Sequence, residues 1–482
     1  MKTASTQEHF QPSLSLNRRA FLCAALAGAG GAAQAANGAD SQPAAVAAAN
    51  RFREPARELP LRDDADVIVC GGGPAGVAAA LTAARAGART RLFEMHGCLG
   101  GVWTAGLLTY IFDFNKPGLT RELARRLDER DARRSKNPDR FVYELEAMKL
   151  LLEEMCGAAG VKLLLHARVA AAYCDVKRLA TVVTESKAGR EAWRAPVFVD
   201  ATGDGDLGAQ AGCGWDFGGE RDCPCQPMTL NALAVVRDAA ALGGFISFYR
   251  DDHRHLEAVE GFKCEIKRAG FESSYGHPTL FHVRDNLVLV MINHEYNVKP
   301  FDAAAVTEAT LRARAEVNRI VRGLRALGGV WEGMQVVATA EQIGVRDGRR
   351  IHGRYTVVRD DLIAGARHAD AVTRATFNVD IHAASREQNR TETISHGGFK
   401  TKPYDIPLRA LIAKDVDGLM MAGRCISGDF IAHASYRVTG NAVAMGEAAG
   451  AVAALAAKSR RLPHEVEWSE AVEWLRKSGQ RV

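Results

Sequence analysis

The sequence has no excess of charge of one sign: 62 Lys and Arg stand against 57 Asp and Glu, a formal net charge of +5 over 482 residues. The basic residues are scattered among the acids and form no stripe of the kind that tracks a phosphate backbone, so nucleic acid is not expected as a partner. Long hydrophobic runs are missing too. The apolar stretch from Cys23 to Ala33 is too short and too rich in Gly and Ala to cross a bilayer, and no stable membrane span is expected. There is no internal repeat. The ten cysteines lack the regular spacing of a disulfide framework. Cys223-Pro224-Cys225 is the one close pair, and without a second cluster it reads as a loop, with no metal expected. What is present, 47% hydrophobic and 25% charged residues, describes a globular chain able to bury at least one large core and to serve a small-molecule partner.

The N-terminus reads as an address. Asn17-Arg18-Arg19-Ala20-Phe21-Leu22 precedes the weakly apolar stretch, and Ala33-Gln34-Ala35 supplies the small residues of a signal-peptidase site, a pattern that resembles a twin-arginine signal. The resemblance implies the twin-arginine export machinery as a partner, a periplasmic or secreted location, and a mature chain from about Ala36. That route carries folded proteins, which allows a cofactor to be loaded before transport.

Residues 36–62 are Ala-rich and then Pro- and Arg-containing, and read as a linker. Asp66-Val67-Ile68-Val69-Cys70 fits a buried parallel strand, Ala75 to Ala86 a small-residue helix, and Arg91-Leu92-Phe93-Glu94 a second strand, together a β-α-β unit. Apolar residues at helical spacing predict a helix from about Arg140 to Cys156. Strand-like runs follow at Val161–Leu165, Val169–Cys174, Ala180–Glu185 and Pro196–Asp200. Beyond them, Met228–Val236 and Leu287–Asn293 read as sheet strands, and Val306 to Leu324 as a helix capped by Asp302 and ended by Gly328. Leu419-Met420-Met421-Ala422 returns as a strand, and Val438 to Lys458 as a closing helix. The expected organisation is therefore a signal peptide over 1–35, a linker over 36–62, a Rossmann-type dinucleotide-binding domain in two parts over 63–214 and 336–460, an inserted α+β substrate domain over 215–335, and a C-terminal tail over 461–482.

Gly71-Gly72-Gly73-Pro74-Ala75-Gly76 follows a strand and opens a helix, the context in which Gly-x-Gly-x-x-Gly is informative. Gly71 permits the turn, Gly73 lets a pyrophosphate approach the backbone, Gly76 brings helix and strand together, and the helix N-terminus offers N–H groups to the phosphates. Glu94 ends the second strand, where a carboxylate accepts hydrogen bonds from a ribose diol. Further Gly-rich strand ends occur at Ala201-Thr202-Gly203-Asp204 and at Ala422-Gly423-Arg424. Gly100 and Gly101 let the backbone run close to an extended ligand, and the helix beginning near Gly440-Asn441 aims its N–H groups at a flavin N1/O2 edge. Three Gly-rich strand ends on one ligand favour FAD over NAD. The residues expected to hold the FAD are Gly71, Gly73, Pro74, Ala75, Gly76, Glu94, Gly100, Gly101, Thr104, Val169, Ala201, Gly203, Asp204, Gly423, Arg424, Gly440 and Asn441.

These turns recur in order with Gln226-Pro227-Met228-Thr229-Leu230, Ile343-Gly344-Val345-Arg346, Arg349-Arg350-Ile351, Val379-Asp380-Ile381-His382, Cys425-Ile426-Ser427 and Arg437-Val438. Over about residues 65–457 the chain resembles the bacterial FAD-dependent oxidoreductase family that includes the xanthan-lyase-like flavoproteins. The resemblance implies a glutathione-reductase-like FAD fold with an inserted substrate domain, and redox chemistry. Thr439-Gly440-Asn441 departs from the family, which has a Met-Pro-Thr-like stretch there, but backbone N–H groups do the binding at that position.

An alcohol that loses hydride to a flavin needs a base for its hydroxyl proton, and histidine suits that task near neutral pH. His382 and His433 are the preferred candidates, with Arg346, Arg350 and Arg437 as groups that hold a substrate carboxylate or stabilise a reduced flavin. Trp103 and Tyr436 are candidates to flank the ring. The expected function is an exported FAD-dependent dehydrogenase or oxidase acting on a small hydroxylated or carboxylated substrate, with oxygen, a quinone or a redox protein as electron acceptor. The alternatives are a reductase fed by a membrane or periplasmic donor, a flavin electron carrier without its own substrate, and an NAD-only Rossmann enzyme.

Overall fold

The computed structural model describes residues 52–219, 225–248 and 254–477. The expected signal peptide, most of the expected linker, Cys223 and Pro224 lie outside these residues. Glu58–Val482 forms one compact unit, and the fold that follows belongs to it.

Its centre is a five-stranded parallel sheet in the order Leu419–Met421, Val197–Asp200, Val67–Cys70, Thr90–Phe93, Lys162–Leu164. Numbered along the chain this is 5-4-1-2-3, the Rossmann order, which places a ligand crevice outside the carboxyl ends of the strands at the point where the order reverses. The Val67–Cys70 strand is buried at every residue, as a parallel strand covered on both faces must be. Helix Pro74–Arg85 starts with proline at its first turn, where the missing N–H costs nothing, and lies across the long helix Thr439–Ser459. The two come close because small residues face each other: a Cβ at Gly446 would sit 2.1 Å from the Ala75 carbonyl oxygen, and one at Gly450 2.2 Å from that of Ala79. Thr439–Ser459 is long and apolar enough to cross a membrane by composition, but 83% of its apolar window is buried inside this domain, where it serves as a core helix.

An antiparallel meander, Arg168–Asp175, Arg178–Ser186 and Gly189–Arg194, lies beside the central sheet in the sequence, and Leu61–Arg62 adds to it in parallel with Ala192 and Trp193. The end of the expected linker is thus a strand. Gly189–Arg194 is not among the expected strands, because it is mostly polar and only its Ala192-Trp193 pair is buried, too short an apolar run to stand out. Leu145–Ala158 forms the helix expected from Arg140, but the first residues of that stretch, Phe141–Val142, pair instead with Tyr110–Ile111.

A second sheet, antiparallel throughout, has the order Thr279–Arg284, Leu287–Met291, Ala232–Val235, Gln335–Thr339. Helices Leu256–Arg268 and Ala303–Ala326 pack on it around a core of its own that includes Leu280, Val290, Val317, Ile320, Leu324 and Trp331. The Asp302 carboxylate accepts from the Ala305 N–H, capping the longer helix as its position predicts. Pairing with Ala232–Val235 carries this sheet to Thr339, past the boundary expected at 335. The expected C-terminal tail contains the helix Trp468–Lys477, which buries Ala471 and Leu475.

Candidate functional site

A cavity of about 980 Å³ opens at the carboxyl ends of the parallel strands and runs to the antiparallel sheet. Its volume is at the upper end of the roughly 300–1,000 Å³ of small-molecule sites. At one end it is walled by backbone. Gly71 has φ +100°, and a Cβ there would lie 2.3 Å from the Ala201 carbonyl oxygen, so the turn and the second strand end touch only because the residue is glycine. A Cβ on Gly76 would lie 1.8 Å from the Gly71 carbonyl oxygen, whereas one on Gly73 would meet nothing within 4 Å. Gly73 faces the open cavity, the space a pyrophosphate needs, and Pro74 and Ala75 at the helix start line the same wall. Glu94 is oriented by two N–H donors, Gly72 to Oε2 at 2.6 Å and His96 to Oε1 at 2.8 Å. A carboxylate has about four acceptor positions, and Glu94 lines the cavity with capacity left for a ribose diol.

Asp200 stabilises the second strand end: its carboxylate accepts from the Thr202 N–H and hydroxyl and from the Gly208 N–H. Burial raises its pKa to about 6 against those bonds. Asp204 and Arg424, from the second and third Gly-rich ends, meet at 2.7 Å. Burial raises the Asp204 pKa and the Arg424 charge opposes the rise. Gly101, Val169, Ala201, Gly203 and Gly423 also line the cavity. The described residues therefore fit an FAD: glycine backbone and a helix N-terminus for the pyrophosphate, Glu94 for a ribose, and Val438, Thr439 and Ala442 at the start of the closing helix on the wall.

Five of the expected cofactor residues are not on that wall. Gly76 and Gly100 act behind it, the first in the helix–strand contact and the second in a turn with φ +108°. Thr104 is buried and donates its hydroxyl to the Leu99 carbonyl at 2.5 Å. Gly440 packs against backbone, where a Cβ would lie 2.0 Å from the Asp113 carbonyl oxygen. Asn441 is fully buried with no partner for either amide atom, and nothing in the structure accounts for it.

The other end of the cavity is built from side chains. His382 Nε2 and Asp380 Oδ2 are 3.2 Å apart, and Arg437 Nη2 reaches the same Oδ2 at 3.1 Å and the Asp380 carbonyl at 2.9 Å. Gln226 Oε1 accepts from the His382 N–H and from Arg437. Burial and then the Arg346 charge lower the His382 pKa to about 4, against the pull of Asp380, so the ring is neutral near pH 7. Burial opposes charge on Asp380, and the His382, Arg437 and Arg346 interactions outweigh it to hold the carboxyl below its usual range. Arg346 donates Nη1 to the Pro227 carbonyl and the Thr229 hydroxyl, both at 2.8 Å. Its own pKa falls to about 10 through burial and the Arg437 charge.

His433 and Arg350 do not join them. His433 is fully buried off the cavity wall, edge-on to Tyr436, and neither ring nitrogen has a partner. Burial holds it well below the usual histidine range, and the nearby arginines add to the effect. Arg350 is spent on structure, donating to the Gly428 and Gly218 carbonyls and pairing with Asp347. Trp103 and Tyr436 are core residues; Trp103 packs on Phe114 and Tyr143, and Tyr436 donates to the Ile426 carbonyl.

Several wall residues were not identified from the sequence. Tyr275 and Arg254 line the charged end, and behind them His294, fully buried and off the cavity wall, packs against Tyr275 at 4.1 Å and edge-on to His382 at 5.1 Å. Tyr110, Phe112, Phe248, Phe281 and Phe377 form an aromatic wall, with Phe248 and Phe281 stacked at 5.0 Å and Phe112 5.2 Å from Phe377. These residues come from separate loops and strands with no shared motif.

The model of the FAD dependent oxidoreductase family matches residues 66–477. The chain belongs to this family: it is an FAD-dependent oxidoreductase, an enzyme whose α/β fold carries a Rossmann-like FAD-binding domain. Among curated proteins, none matches the chain. Solved structures similar to it include a geranylgeranyl bacteriochlorophyll reductase-like protein from Thermoplasma acidophilum, at 15% identity and TM-score 0.43 over 83% of this chain and 80% of that one. Others are p-nitrophenol 4-monooxygenase PnpA from Pseudomonas putida DLL-E4, at 12% identity and TM-score 0.44 over 83% and 81%, and the flavin-dependent brominase Bmp2, at 11% and 0.44 over 87% and 84%.

Proposed function

We propose that this enzyme is an exported dehydrogenase or oxidase of glutathione-reductase-like type, related to the xanthan-lyase-like flavoproteins, in which the segment around the antiparallel sheet is an inserted substrate domain. The observation that carries the reading is the His382–Asp380 pair on the same cavity as the Gly71–Gly76 turn. FAD, when bound, supplies a two-electron acceptor for the hydride of a small hydroxylated or carboxylated substrate. His382, neutral near pH 7, takes the substrate hydroxyl proton, and Asp380 orients the ring and stabilises the imidazolium that results. Arg437, which shares the Asp380 Oδ2 with His382, keeps the carboxylate in place. The aromatic wall excludes water from that proton transfer.

The Asn17–Leu22 segment supports export by the twin-arginine route, with the protein working in the periplasm or outside the cell and passing electrons to oxygen, a quinone or a redox protein. Anaerobic bleaching of the flavin absorbance by candidate alcohols and hydroxy acids tests the reaction. His382→Gln should slow that bleaching by about 10²- to 10⁴-fold, the usual contribution of a general base, with FAD content unchanged. An unchanged rate removes His382 from the role. Replacing Arg18 and Arg19 by Lys should leave the protein in the cytoplasm on cell fractionation.

A further inference from the structure

The charged end of the cavity contains more positive charge than its own carboxylate neutralises. Arg346 and Arg437 face the cavity and act on Asp380, Arg254 lines the same cavity beside Tyr275, and Asp380 is already shared between Arg437 and His382. The acceptors that Arg346 has among the described residues are a carbonyl and a hydroxyl, both uncharged, and both sit on one nitrogen, Nη1. Arg437 spends Nη2 on Asp380 and Gln226, and its buried Nε has no partner. Asp380 attracts Arg346 without pairing with it directly. A buried guanidinium with no directly paired carboxylate is costly, and here a second one lies close enough to depress its pKa. The planar donor edge left on Arg346 matches a carboxylate, which it binds through two parallel hydrogen bonds.

The aromatic wall begins next to this charge. Phe377 and Asp380 are so close in sequence that the backbone between them spans at most about 10 Å. Phe377 in turn meets Phe112, which meets Tyr110, which packs on Phe248 and Phe281. Aromatic faces of this kind favour a flat apolar partner in offset or edge-on contact. We propose that the substrate is an aryl acid, with its carboxylate held by Arg346 and Arg437 and its ring on the wall formed by Phe377, Phe112, Tyr110 and Phe281. The short reach between the two features fits one ring joined to its acid group by a short spacer. This rests on the reading of the His382 end as the place where substrate is handled, but it concerns binding and needs no turnover.

Titration calorimetry of the FAD-loaded protein with redox-inert probes tests it. Benzoate and phenylacetate should bind at least ten-fold more tightly than neutral benzamide and than acetate. Arg346→Met should remove the preference for benzoate over benzamide, Arg346→Lys should keep part of it, and Phe377→Ala should weaken benzoate and benzamide alike. FAD content and Tm identify any variant that has lost its fold, in which case the Lys variant and the wild-type probe series still decide. Equal binding of benzoate and benzamide by the wild type overturns the anion half, and equal binding of benzoate and acetate the aryl half. A well-folded Arg346→Met protein that binds benzoate normally but has a shifted flavin reduction potential assigns Arg346 to the flavin and overturns the proposal. Benzoate binding that survives His382→Gln, with a bleaching rate also unchanged, leaves the aryl-acid site standing while removing the proposed base.

Discussion

The two ends of the cavity are made from different materials. The nucleotide end is backbone: glycine turns at the ends of parallel strands, N–H groups at helix starts, and one carboxylate, Glu94, held by two N–H donors. The other end, the proposed substrate end, is side chain: Arg346, Asp380, His382, Arg437, Tyr275 and the aromatic wall come from separate segments, and the charged groups among them depend on one another. Backbone sites tolerate little change in shape but hold their chemistry without tuning. Side-chain sites can exchange chemistry, and each group in them has a protonation state that its neighbours set.

The sharpest break of that contrast is inside the glycine turn itself. Gly76→Val places a Cβ about where the Gly71 carbonyl oxygen now lies, and should abolish soluble, FAD-containing protein. Gly73→Ala, with nothing near its new Cβ, should keep Tm within a few degrees and lower FAD affinity at least ten-fold, as measured by fluorescence titration. A structural arginine should behave differently from a site arginine. Arg350→Met leaves Asp347 buried without its counter-ion, a change that costs about 3–5 kcal/mol, read from urea unfolding, whereas Arg346→Met should cost less stability and act on binding.

The last effect expected is one of pH. The folded pKa of His382, about 4, lies below its free value of 6.5, and His277 is lowered likewise to about 4 by burial and then by Arg254. Their contribution to stability is present above pH 6.5 and is lost as pH falls through 4. Glu447, in the middle of the closing helix, has the opposite sign. Burial raises its pKa from 4.5 to about 8, so its contribution is complete below pH 4.5 and is lost as pH rises through 8. Glu447→Gln, which keeps an acceptor for the Leu119 N–H, should match the parent at pH 4.5 and exceed it by up to about 4 kcal/mol at pH 8.5, at about 1.4 kcal/mol for each pKa unit. Equal stability curves for variant and parent at both pH values would falsify that assignment.

The nucleotide end was legible because its signals are local. One strand, one turn and one helix suffice to give Gly71, Gly73 and Gly76 distinct tasks, whereas the order of the strands came only from the structure. Thr104 and Asn441 were placed on the ligand by their position beside glycines, yet side-chain direction depends on packing: Thr104 turned to the Leu99 carbonyl, and Asn441 was buried beneath the helix start. The aromatic wall left no mark, since Tyr110, Phe248 and Phe377 belong to no motif and meet only when separate segments of the chain come together.

By itself the sequence determined the parallel sheet, the glycine turn and the closing helix, and named FAD as the cofactor, because each depends on residues near one another in the chain or on strands buried on both faces. Only the tertiary structure decided between residues that looked alike. Arg346 and Arg350 stand in one short stretch, and His382 and His433 in two similar ones. Arg346 and His382 face the cavity, whereas Arg350 is consumed by Asp347 and two carbonyls and His433 is sealed beside Tyr436. Those outcomes are set by contacts between segments far apart in sequence, where a shift of a few ångströms turns a site residue into a structural one.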